Sequence, residues 1–175
     1  MIQAGDIIPY LEMCKEEGVS LQKGMYFRLH GDKCVVLMSR RRDAPYSDCI
    51  EDEGRVLIYE GHDLPRRIGG PDPKAADQPE LNPGGTLTSN GLFEQAALRY
   101  KRGEASAELV RVYEKIHRGI WAYNGLFQLV DACREIRGSR TVFKFTFRLV
   151  EDRPSPGEPA KTIEHGRMIP TVVKL

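Results

Sequence analysis

RTVFKFTFRLV, residues 140–150, carries the most informative pattern in the chain. Val142, Lys144, Thr146 and Arg148 alternate with Phe143, Phe145, Phe147 and Leu149. In a strand, successive side chains leave opposite faces, so one face here is an aromatic core face and the other is polar. Solvent is the default neighbour of that second face, and phosphate groups are the alternative. Working backwards, AELVRVYEKI (107–116) and YNGLFQLVDACREI (123–136) read as two further strands, and RVLIYE (55–60) as another rich in β-branched residues. LFEQAALRYKRG reads as an amphipathic helix ending at Gly103, with its cap open among Thr88, Ser89 and Asn90.

MYFRLHGDKCVVLM (25–38) reads as a hairpin turning at His30, Gly31, Asp32 and Lys33. Residues 5–17, with Ile7, Ile8, Leu11 and Cys14 at helical spacing, read as a helix stopped by Gly18. Residues 39–54 are polar, and residues 61–85 hold five prolines and five glycines with little apolar pattern. A loop that long within a domain is usually functional or disordered. From Glu151 to Pro159 periodicity is lost, which marks the end of the domain. Strands outnumber helices, so the predicted class is α+β, mainly β, with a strongly curled sheet and flanking helices.

Composition narrows the function. Of the residues, 41% are apolar and 29% charged, ordinary usage for a globular domain. No run approaches the roughly 20 apolar residues of a membrane span, and the N-terminus lacks a basic leader. Cys14, Cys34, Cys49 and Cys133 are scattered without a CxxC pair. This points away from a zinc site or disulfide framework and towards buried, inert thiols in a reducing, cytoplasmic setting. The net charge of +1 is uninformative, but basic residues cluster at Arg40–Arg42, Arg66–Arg67, Arg99–Arg102 and Arg134–Arg148. Such clusters give a near-neutral protein a face for phosphates, or a solvated surface.

No nucleophile elbow, HExxH, phosphate loop or dinucleotide turn is present, and the four histidines sit in four different segments. Two features remain. Glu60, Gly61, His62 and Asp63 cluster at a strand end, where an acid–base pair could act on nucleic acid. Tyr46-Ser47-Asp48 and Tyr59-Glu60-Gly61 pair aromatic rings with carboxylates, a combination that suits a planar polar ligand.

Five stretches in order resemble the SRA (YDG) domain, a reader of modified cytosine: VLIYEG (56–61), GGTLTSNGLFEQAAL (84–98), LVRVYEK (109–115), AYNGLFQLVDA (122–132) and VFKFTFRLVED (142–152). Tyr123-Asn124-Gly125 stands where the family carries Tyr-Asp-Gly, and its role is read as structural, in a tight turn. The bacterial type, an SRA domain joined to an HNH nuclease, looks most similar, with MIPTVVKL (168–175) leading towards the nuclease. The resemblance implies an SRA-like barrel over residues 21–152, a helical segment over 1–20, and a linker over 153–175 to an HNH domain absent from this chain.

It also implies a partner, double-stranded DNA containing 5-methylcytosine or 5-hydroxymethylcytosine, read by base flipping. No cofactor or metal, no membrane and no catalytic residue in this chain are implied, and a homodimer through the full-length protein is a further expectation. The flipped-base pocket falls on Tyr46, Ser47, Asp48, Tyr59, Glu60 and Gly61, with Asp43 and Glu51 as alternatives to Asp48. The backbone of Ser39, Arg40, Arg41 and Arg42 forms its floor. His62, Arg66, Arg67, Thr88, Ser89 and Asn90 face the DNA backbone or groove. Two rival readings are a nucleic-acid-cleaving enzyme using His62 and Asp63, and a protein-interaction module using the last strand.

Overall fold

The computed structural model describes residues 1–150. The expected linker and the MIPTVVKL segment lie outside the described residues. In chain order the elements are β1 (Ile7–Pro9), α1 (Tyr10–Glu17), β2 (Met25–Tyr26), β3 (Cys34–Met38), β4 (Cys49–Glu51), β5 (Val56–Glu60), α2 (Ser89–Lys101), β6 (Leu109–His117), β7 (Ile120–Arg137) and β8 (Arg140–Leu149). The architecture is α+β and mainly β, one mixed eight-stranded sheet with two helices. Its strands run β2-β3-β6-β7-β8-β5-β4, with β1 added beside β7. Among the described residues only β3 and β6 pair in parallel.

Alternation along the strands builds two cores. On β8, Phe143, Phe145 and Phe147 are at most 1% exposed, and Phe93 of α2 packs against the last two with ring centroids 5.7 and 6.3 Å apart. On the other face Met13 of α1 joins Leu21, Val35, Tyr113 and Tyr123. Adjacent residues of β3 divide accordingly, Val36 to the α2 side and Val35 to the α1 side. Glu17 fastens α1 to the sheet through the Arg111 guanidinium at 2.5 Å and the Tyr113 hydroxyl.

Several expectations are corrected. The helix expected from residue 5 begins at Tyr10, because Pro9, at φ −67° and ψ 155°, keeps the preceding residues extended, and Ile7–Pro9 pair with β7 instead. The three-residue strand β4 lies in a stretch read as polar loop. The polar face of β8 is not a solvent face throughout: Lys144 and Arg140 are 5% and 8% exposed. The strongly curled, barrel-like sheet that was expected is not closed among the described residues, since β2 and β4 end the strand path without pairing. Side chains span that gap: the Tyr59 hydroxyl of β5 donates to the Gly24 carbonyl before β2, at 3.0 Å. The Tyr-Asn-Gly motif sits at a β-bulge within β7 rather than in a tight turn, with Gly125 at φ +113°. Of the thiols, Cys34 is buried and Cys14 partly so, whereas Cys49 and Cys133 are exposed.

The hairpin, the long loop and the capped helix match the sequence reading. Thr88 Oγ1 accepts from the Gly91 N–H at 3.2 Å, which settles the cap. Because Phe145 is fully buried against α2, Phe145→Ala is expected to cost about 3–5 kcal/mol. Urea unfolding monitored by circular dichroism would show this as a lower midpoint with an unchanged slope.

Candidate nucleic-acid interface

β5 and its partner β8 decide where the candidate residues go. Tyr59 is paired with Phe145 and Glu60 with Lys144, so the two neighbours leave opposite faces of the sheet. Tyr59 turns towards the aromatic core, and Glu60 towards a buried cationic cluster. They therefore cannot share one pocket.

On the Tyr59 side lies a cavity of about 530 Å³, lined by Tyr46, Asp48, Tyr59, Ser39 and His62 among others. The expected convergence of two phenol rings and one carboxylate is present. Asp48 is fixed from two directions: one oxygen accepts from the Ser39 N–H after β3 at 3.1 Å, and the other accepts from the Glu60 N–H of β5 at 2.9 Å. Each oxygen retains a lone pair for a further donor. Burial pushes the Asp48 carboxyl up to about 6, against the opposing pull of its two N–H donors and Lys144. Tyr59 is 2% exposed, and its hydroxyl meets Gly24 O and the His62 Nε2, both at 3.0 Å. Burial holds His62 neutral, its value lowered to about 4.

On the opposite side Glu60, 3% exposed, accepts from the Ser47 N–H at 3.0 Å and from Lys144 Nζ at 3.2 Å, with Arg140 at 3.6 Å. Arg140 also binds Asp63 at 2.7 Å, and Lys74 binds the other Asp63 oxygen at 2.7 Å. Unpaired carboxylates at this depth would be costly, and this cluster compensates both. A groove of about 460 Å³ opens above it, lined by Arg42, Lys74, Arg137 and Arg140 together with Ser47 and Glu60.

The remaining candidates separate by position. Gly61 packs rather than lines the cavity: a Cβ there would stand 2.6 Å from Asn90 Oδ1 and 2.9 Å from the Phe143 Cβ. Arg40 is drawn aside to Glu114 at 2.7 Å, while Ser39 and Arg41 line the cavity. His62, expected to face DNA, is turned inward against the two tyrosines. Thr88 caps α2, Ser89 reaches Met25 O, and Asn90 is 2% exposed and bonded to His62 and Pro79. Arg66 and Arg67 are exposed on the long loop, without ion pairs among the described residues. Asp43 also lines the cavity, whereas Glu51 does not. Sequence reasoning missed Lys23, Gly24, Lys115 and Trp121 on the cavity wall, and Lys74 beside Tyr46. Trp121, the sole tryptophan, was the one visible signal among them.

His62 and Asp63, the pair on which an enzyme reading relied, diverge: the imidazole enters the aromatic cavity and the carboxylate enters the cationic cluster. No group of three or more His, Cys, Asp or Glu side chains is placed to hold a metal among the described residues.

No family model matches the sequence, and no curated protein is similar to it. Solved structures are similar in fold. The SUVH5 SRA domain in complex with methylated CHH DNA is 22% identical, covering 87% of this chain and 92% of that one, at a TM-score of 0.59. The same domain bound to fully hydroxymethylated CG DNA is 21% identical with the same coverage, at 0.56. SUVH6 of Arabidopsis thaliana in complex with SAM is 19% identical, covering 88% of this chain and 27% of that one, also at 0.56. The chain therefore has the fold of an SRA domain.

The two perturbed groups in the cavity oppose each other in acid. The raised carboxyl of Asp48 makes the folded state bind a proton more readily, so its contribution to stability is present at low pH and is lost as pH rises through about 6. The depressed imidazole of His62 contributes above its ordinary value of 6.5 and loses that contribution as pH falls towards about 4. Asp48→Asn removes the first effect and leaves the second. Its melting temperature is expected to fall more steeply than wild type between pH 6 and 4, and parallel curves would contradict these assignments.

Proposed function

We propose that this chain reads a modified cytosine, 5-methylcytosine or 5-hydroxymethylcytosine, in double-stranded DNA by holding it flipped out of the duplex in the cavity of Tyr46, Asp48 and Tyr59. The observation that carries the reading is the placement of Asp48 in the wall of one cavity with Tyr46 and Tyr59, each of its oxygens with a free lone pair. A cytosine presents its N4 amino donor to such a carboxylate, whereas thymine presents the O4 acceptor and is refused despite its methyl group. Flipping costs a few kcal/mol, and stacking on Tyr46 returns about 1–3 kcal/mol of it. The SRA fold, seen in proteins crystallised with methylated and hydroxymethylated DNA, supports the same reading.

The modification is a small handle. Burying one methyl is worth about 0.8 kcal/mol, and a shaped pocket extends one-carbon discrimination to about 1–3 kcal/mol. The exposed Arg66 and Arg67 on the loop leaving the cavity supply contacts to phosphates or a groove. In the full-length protein this reader directs a linked HNH nuclease, a part of the proposal that rests on the sequence resemblance to the bacterial SRA–HNH type.

The test is competition between duplexes that differ only in one cytosine substituent. Wild type is expected to prefer the modified duplex by roughly tenfold to a hundredfold. Tyr46→Ala should erase that preference and retain weak, salt-sensitive binding. Absence of any preference in the wild type, or equal loss of both duplexes in the variant, would overturn the reading. Replacing Arg66 and Arg67 with Ala is expected to weaken binding to every duplex alike and to flatten its dependence on salt, read by fluorescence anisotropy across a salt series.

A further inference from the structure

Tyr46 is a partition. It lines both the cavity and the cationic groove, and of the two groups set against its ring each borders only one of them. Lys74, on the groove side, places Nζ 4.5 Å from the ring centroid. His62, on the cavity side, lies parallel to the ring within 7°, with centroids 5.2 Å apart. Lys74 thus approaches the ring from the groove and His62 from the cavity, and a base stacking on the cavity side competes with the imidazole for that face.

The imidazole has a place to go. Asn90 holds the His62 backbone at both ends: its Oδ1 accepts from the His62 N–H, and its Nδ2 donates to the His62 carbonyl, each at 2.9 Å. Only the side-chain torsions remain to move the ring. His62 also borders a second cavity of about 580 Å³, walled by Leu64, Pro65, Leu87 and Asn90. Rotation towards that space gives up one stack and the hydrogen bond to Tyr59. In exchange, a ring held neutral by burial regains water.

We propose that His62 is a displaceable occupant of the base site, covering the cavity face of Tyr46 in the DNA-free chain and rotating towards the second cavity when a flipped base enters. This rests on the function proposed above. The occupied form lowers apparent affinity by the fraction of chains with an open site. One aromatic contact and one hydrogen bond set that penalty at about tenfold.

Two measurements test it. His62→Ala is expected to bind a duplex with a single 5-methylcytosine about tenfold tighter than wild type, and to bind the unmodified duplex at the same salt-sensitive level. In the wild-type protein, the His62 ring protons, shifted upfield by Tyr46 in the free chain, should lose that shift on saturation with the modified duplex. Equal or weaker binding by the variant, or an imidazole signal unchanged in the complex, overturns the proposal. The wild-type arm separates the two failures. If it shows no preference for modified DNA, the functional reading falls and the occupant role with it. If it shows the preference while the ring stays in place, only the occupant role is lost.

Discussion

The carboxylate of Asp48 joins parts of the molecule that the backbone leaves apart. β3 and β5 are separated in the sheet by β6, β7 and β8, and the two ends of the strand path do not pair. Asp48 nevertheless accepts one N–H from the residue after β3 and one from the last residue of β5. With the bond from Tyr59 to Gly24, it closes the open side of the sheet around a hollow instead of a ladder. A closed ladder would have filled this space with backbone. Side-chain bridges leave it large enough for a nucleobase and line it with acceptors and rings.

Burial makes these bridges consequential. Two backbone donors would ordinarily draw a carboxyl down, yet burial outweighs them at Asp48. Across β5, Glu60 is more deeply buried but is surrounded by Lys144, Arg140 and Arg137. The same strand thus carries a carboxylate in the cavity's wall through its backbone N–H and another in a cationic cluster through its side chain. Lys144 pairs with Glu60 across the β5–β8 register at 3.2 Å, which explains why the polar face of β8 turns inward at that position.

Much of the frame was legible in the sequence because period two is a strong signal where one face is aromatic. Phe143, Phe145 and Phe147 revealed β8, and the β-branched run before Tyr59 revealed β5. β4 was hidden because Cys49, Ile50 and Glu51 are too few to show a period. The start of α1 was obscured because Ile7 and Ile8 also fit helical spacing, whereas Pro9 holds them extended. Within the site, Tyr46, Asp48 and Tyr59 were legible as rings paired with a carboxylate. Ser47, Glu60 and Gly61 were grouped with them by adjacency, and alternation along β5 separates Glu60 from Tyr59. His62, expected to face DNA, turns inward, and Asn90, 28 positions later, pins its backbone. Contacts across such separations leave no local trace, which is also why the sequence does not mark Lys23 and Lys115 as cavity residues.

The cavity's purpose is tested most directly by a crystal structure of the chain with a duplex bearing one 5-methylcytosine. That base is expected outside the stack, its ring against Tyr46 and its N4 within hydrogen-bonding distance of an Asp48 oxygen. A modified base still paired within the duplex, or extruded somewhere other than this cavity, would contradict it.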